Sequence, residues 1–140
     1  MTANRPLDIV TRFLSLVNRN LIDEAMDLLA DDVFYHNVPL APIVGRENVR
    51  AFTHAFGMGT RLRPEWELLA IASVGDTVLT ERVDRFVTED NHRLAIPLMG
   101  SFRVHDGLIG TWRDYFDLQD LERQLAAAGM SIEDEAAPGS

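Results

Sequence analysis

The segment Thr80–Phe86, "TERVDRF", decides how this chain is read. It reads as a β-strand, yet it puts Arg82 and Asp84 together on one face, where apolar residues normally point into a core. Residues 110–116, "GTWRDYF", repeat the anomaly, with Asp114 between Trp112 and Phe116 on a single face. A third segment, "VFYHNVPLAP" at 33–42, offers Tyr35 and Asn37, again two residues apart. Side chains alternate across a strand, so the three segments can direct five polar groups into one otherwise apolar space.

Around these segments the chain divides into helices first and strands second. Four strand-like runs are expected at about 61–74, 77–88, 93–105 and 108–117, separated by the turn signals "GD", "TEDN" and "HDG". Before them, Leu7, Val10, Phe13, Leu14 and Val17 recur at helical spacing over 6–18, and Pro6 suits a first turn. A second helix is expected at 21–30, with Asn20 as its candidate cap and Leu21, Ala25, Leu28 and Leu29 facing inward. A strand at about 33–38 follows, and "GRENVRAFTHAFGMG" then places Val49, Phe52 and Phe56 on a third helix that stops at glycines. A last helix is expected at 118–128. Helices segregated from antiparallel strands define an α+β domain, in which a curved sheet wraps one end of the helices and leaves a pocket on its inner face. Residues 1–130 are read as that one domain, and the acidic 131–140, "SIEDEAAPGS", as a mobile tail.

Composition narrows the function. A chain of 140 residues encloses a single core or pocket. Its 22 Asp and Glu against 13 Lys and Arg give a formal net charge of −9, which repels nucleic acid and anionic membranes. With no cysteine there is no disulfide and no thiolate metal site or nucleophile. The start "MTANRPLDIV" has no basic segment followed by an apolar run, so a cytoplasmic protein is expected. His36, His54, His92 and His105 show no metal-ligand spacing, and no phosphate loop or nucleophile elbow is present. Neither a metal nor a cofactor is expected.

Two carboxylates and a guanidinium in a dry pocket are costly unless paired or neutralised. The planar fork of an arginine can bond both carboxylates, and the surplus negative charge favours a proton on one of them. One acid and one base then coexist at neutral pH, as bifunctional acid–base chemistry requires. Spacing alone leaves open an ordinary cross-strand ion pair on a solvated face.

Taken together, "VFYHNVPLAPIVGRENVRAF", "LTERVDRF" and "GTWRDYFDL" resemble the limonene-1,2-epoxide hydrolase family, over about residues 7–125. The resemblance implies the cone-shaped fold of the nuclear transport factor 2-like superfamily, a curved, mostly antiparallel mixed β-sheet wrapped around N-terminal helices. It implies Asp84 as the acid that protonates an epoxide oxygen, Asp114 as the base that activates water, and Arg82 between them. Tyr35 and Asn37 are implied as further holders of that water. Phe86, Ile96, Leu98, Trp112, Phe116 and Phe56 are expected to line the pocket for a small lipophilic epoxide, with Met58 near the mouth. A homodimer is also implied, through an outer sheet face carrying Leu79, Val83 and Val87.

Two other readings compete. A ketosteroid-isomerase-like enzyme of the same fold needs a tyrosine on the first helix, where this chain has Phe13. A noncatalytic small-molecule binding module needs no acid–base pair at all.

Overall fold

The computed structural model describes residues 5–131. Helix α1 (Pro6–Asn18) starts at its proline and buries Ile9, Val10, Phe13, Leu14, Leu16 and Val17. The second helix, α2, is much shorter than its apolar spacing suggests, spanning only Ile22–Met26. Leu29, expected on that helix, instead opens strand β1 (Leu29–Asn37), where it is level with Ile109 of β6 (Leu108–Phe116). A short apolar run fits either periodicity, and here pairing with a distant strand decides it. Asn20 is not a cap; it sits at φ 62, while Leu21 takes the capping position without a side-chain bond.

A two-residue strand β2 (Ile43–Val44) leads into α3 (Arg46–Phe56), which ends on Gly57 at φ 92. Strands β3 (Leu62–Val74), β4 (Thr77–Thr88), β5 (Arg93–His105) and β6 then run as an antiparallel meander, close to the bounds expected from the turn signals. The six strands lie in the order β2-β1-β6-β5-β4-β3, and β1 joins β6 in parallel, so the sheet is mixed and open. Register shifts at Leu68/Ala70 and Arg103/Val104 mark the irregularities that bend such long strands. The prolines fit this order: Pro64 lies on edge strand β3, and Pro97 in the part of β5 beyond the end of β6.

Helix α1 fills the concave side, with Phe13 edge-on to Trp112 at 5.0 Å. Two side-chain amides stand in for missing strands. Asn18 donates to the Trp66 carbonyl and accepts from the Trp66 N–H, both at 2.7 Å, on edge strand β3. Gln124 of α4 (Leu118–Ala127) makes the same pair of bonds to Ala95, beyond the reach of β6. The acidic end, apart from Ser131, lies outside the described residues. Among the described residues, no helix is long and apolar enough to cross a membrane.

Candidate active site

Strand alternation builds the site from four neighbouring strands. On β4, Thr80, Arg82, Asp84 and Phe86 all face inward and are buried. Register places Thr80 beside Gly100 of β5, Gly100 beside Asp114 of β6, and Asp114 beside Asn37 of β1, forming one row across four strands. The next pair along, Trp112 and Tyr35, is also level, with rings 4.2 Å apart. The five polar residues singled out in the sequence therefore converge.

Arg82 is the hub of the cluster. It is 1% exposed, Asp84 4% and Asp114 3%. Its Nε and Nη2 donate to Asp84 Oδ1 and Oδ2 at 3.0 and 2.9 Å, a two-point grip. Nη2 also donates to Asp114 Oδ2 at 3.1 Å, and Nη1 donates to Thr80 Oγ1 at 3.0 Å. The guanidinium carbon lies 5.2 Å from the Trp66 ring centre and 5.8 Å from that of Phe102, so aromatic faces replace much of its lost hydration. It reaches Asp114 across Gly100, where a Cβ would stand 2.4 Å from Arg82 Nη1 and 2.8 Å from Asp114 Oδ1. Any side chain there would force Arg82, Asp114 or Thr80 to shift.

The electrostatics follow from burial. With all three groups ionised the cluster would carry a net −1 in a low-dielectric space. Burial pushes the Asp84 carboxyl up to about 6, with Arg82 opposing and Asp114 adding to the rise. Burial of Arg82 would by itself lower its pKa, but the charges of Asp114 and Asp84 overcome this and hold it above the ordinary value. Burial, reinforced by the Asp114 charge, lifts the Tyr35 phenol well above its usual range, so its proton stays in place. Asn37 Nδ2 donates to that phenol oxygen at 2.9 Å, which leaves the Tyr35 proton and the Asn37 carbonyl oxygen for other partners. Asp114 Oδ1 is buried without a hydrogen-bond partner among the described residues.

These groups lie at the bottom of a cavity of about 90 Å³. On a measure by which one water needs about 10–15 Å³, that holds several waters or one small organic molecule. Its wall contains all six apolar residues expected there, Phe56, Phe86, Ile96, Leu98, Trp112 and Phe116, and Met58 as well. Arg82 lies behind the two carboxylates and does not reach the wall. Sequence reading missed Thr80, Gly100, Trp66, Leu40, Phe52, Thr53 and Leu121. Thr80 carried a signal, since the alternation that selects Arg82 and Asp84 extends to it, and a glycine inside a strand marks close approach. Trp66 carried one too, since it alternates with the buried Leu62 and Pro64 ahead of the register shift in β3. Among the described residues, no cluster of three or more His, Asp or Glu side chains could hold a metal ion.

An open, curved mixed sheet closed by helices around a blind apolar pocket defines a cone fold of the nuclear transport factor 2-like kind. A Pseudomonas putida protein assigned as a candidate polyketide cyclase shares this fold at TM-score 0.72, with 18% identity over 86% of this chain and 97% of that one. A closer likeness is to an epoxide hydrolase of the limonene-1,2-epoxide hydrolase type from Mycobacterium tuberculosis, at TM-score 0.75 and 30% identity, covering 87% and 90%. In sequence, epoxide hydrolase EphG of the same organism is 34% identical over 116 residues, 83% of this chain and 76% of that protein. The family model for the limonene-1,2-epoxide hydrolase catalytic domain matches residues 4–127. The chain belongs to the limonene-1,2-epoxide hydrolase family, and that membership supports epoxide hydrolysis as its activity.

Proposed function

We propose that this protein adds water to a small lipophilic epoxide, terpene-like or cyclic, giving a vicinal diol in one concerted step. The observation that carries the reading is the asymmetry of the buried trio. Arg82 occupies both oxygens of Asp84 but only one of Asp114, so Asp114 Oδ1 stays free to accept a proton. Asp84, with its pKa raised to about 6, is the acid.

In this mechanism water is held by Asp114 Oδ1, the Tyr35 proton and the Asn37 carbonyl oxygen. Its oxygen attacks one epoxide carbon as the carbon–oxygen bond breaks. One water proton passes to Asp114, while Asp84 delivers its proton to the departing oxygen. Transfer of the Asp114 proton back to Asp84 restores the starting state. Ring strain supplies driving force, and proton delivery avoids a free alkoxide. The apolar wall suits a hydrocarbon ring and excludes competing bulk water. The same reading includes a homodimer formed through the outer sheet face.

Single turnover in ¹⁸O-labelled water, with enzyme in excess over epoxide, tests the chemistry. Direct attack gives singly labelled diol and an unlabelled protein. Unlabelled diol with label in Asp84 or Asp114 would instead show a carboxylate nucleophile. A passive binding pocket would give no diol at all, and loss of Asp114 would leave its ligand affinity unchanged.

A further inference from the structure

An arginine offers five N–H bonds, and a carboxylate as close as Asp114 would ordinarily draw two of them in parallel. Here it receives one. Nη1 is directed to Thr80 Oγ1 at 3.0 Å, while Asp114 Oδ1, on the far side of the Gly100 hollow, has no hydrogen-bond partner among the described residues. Thr80 is 1% exposed, and its hydroxyl donates its own proton to the Gly100 carbonyl at 3.5 Å, which turns its lone pairs toward Nη1. Thr80, Gly100 and Asp114 form one row of neighbouring positions, so the hydroxyl engages Nη1 and Asp114 engages Nη2 of the same guanidinium from the two sides of Gly100.

We propose that Thr80 is a positioning residue that holds Arg82 Nη1 off Asp114 Oδ1, keeping one oxygen of Asp114 free to take a proton from water. Without the hydroxyl, the buried Nη1 has lost its partner and the nearest unpaired acceptor is Asp114 Oδ1. The guanidinium then swings toward Asp114, its grip on Asp84 loosens, and the base is occupied. Gly100 makes either position sterically accessible, because a side chain there would meet Nη1, Asp114 Oδ1 and Thr80 Oγ1 together.

The inference rests on Asp114 acting as the base, so Asp114→Asn is measured alongside. Thr80→Val keeps the shape and removes the acceptor, and Thr80→Ser restores it. For Thr80→Val, kcat should fall about tenfold or more while KM stays within about twofold. Its alkaline limb in kcat/KM should move to higher pH, because Asp84 has lost part of the cation that favours its ionised form. Thr80→Ser should recover most of the lost rate. A crystal structure of Thr80→Val should show Nη1 within hydrogen-bond distance of Asp114 Oδ1. Thr80→Ala serves the same comparison if valine prevents folding. Wild-type kcat in Thr80→Val beside an inactive Asp114→Asn would overturn the role of Thr80 alone, as would equal losses in the valine and serine variants or an unmoved guanidinium. An active Asp114→Asn would instead overturn the assignment of the base.

Discussion

Arg82 is a charge placed where an apolar side chain would pack at lower cost, and its partners explain its presence. Asp84→Asn removes the proton donor and Asp114→Asn the acceptor, so each should lower kcat by about 10²-fold or more with the fold retained, as circular dichroism would check. Arg82→Lys should also lose activity, because a point charge cannot hold two oxygens of one carboxylate and one of the other. A near-native rate in that variant would make the fork dispensable. Asp84 must carry its proton to act, and its pKa is about 6, so kcat/KM should fall as pH rises through that value. An apolar substrate displaces water from the pocket and disfavours the charged form further, so the same limb in kcat should lie at higher pH. The linkage to stability has the matching sign. A carboxyl raised from its ordinary 3.8 to about 6 stabilises the fold below the lower value, and that contribution is lost as pH rises through the upper one. Asp84→Asn should remove this slope from a urea-unfolding series.

At the scale of elements, the strands are held by devices that spacing alone does not specify. Edge strand β3 carries Trp66 level with Asp84, and the Asn18 amide is what clips Trp66 to α1. Asn18→Ala leaves both Trp66 backbone groups without that partner and should cost about 1–3 kcal/mol in denaturant unfolding. It should also raise KM, since Trp66 forms part of the pocket wall. An unchanged unfolding midpoint would show that the clip contributes nothing. Alanine ordinarily suits a strand better than glycine, by roughly 0.5–1 kcal/mol. At position 100 the sign reverses, because the added carbon meets Arg82, Thr80 and Asp114 within 2.8 Å. Gly100→Ala should therefore be both less stable and less active than the parent, and a stabilised variant would contradict the close approach.

At the scale of the whole molecule, the convex side of the sheet presents Leu79, Met99 and Tyr115 at 46, 52 and 49% exposure. Met99 and Tyr115 are level across β5 and β6, with Glu81 next in the row. Val87, expected on this face, is already buried within the chain, so the apolar stripe is centred nearer Met99. Burial of this stripe against a second copy is the arrangement proposed. Light scattering should return twice the 15.7 kDa chain mass at micromolar concentration. Met99→Glu should shift the particle to a monomer, since it buries an unpaired charge at the interface. A wild-type monomer would remove the dimer from the reading.

Which side chains share a face follows from the geometry of an L-peptide strand, a property each residue has before the chain closes. That is why Arg82 with Asp84, Trp112 with Asp114, and Tyr35 with Asn37 could be paired from the sequence, and why the turn glycines and Asn-Asp signals placed β3 to β6 so closely. Which strands become neighbours, and in what register, depends on contacts tens of residues apart. The parallel pairing of β1 with β6 sets Asn37 level with Asp114, and the same pairing takes Leu29 out of the helix that its spacing suggested. The hollow over Gly100, the threonine that holds one arm of Arg82, and the tryptophan beneath it exist only once β3, β4, β5 and β6 are side by side. The sequence by itself determined which chemical groups face inward. Tertiary structure alone decided which oxygen of Asp114 stays free, because that depends on where a single guanidinium finds room.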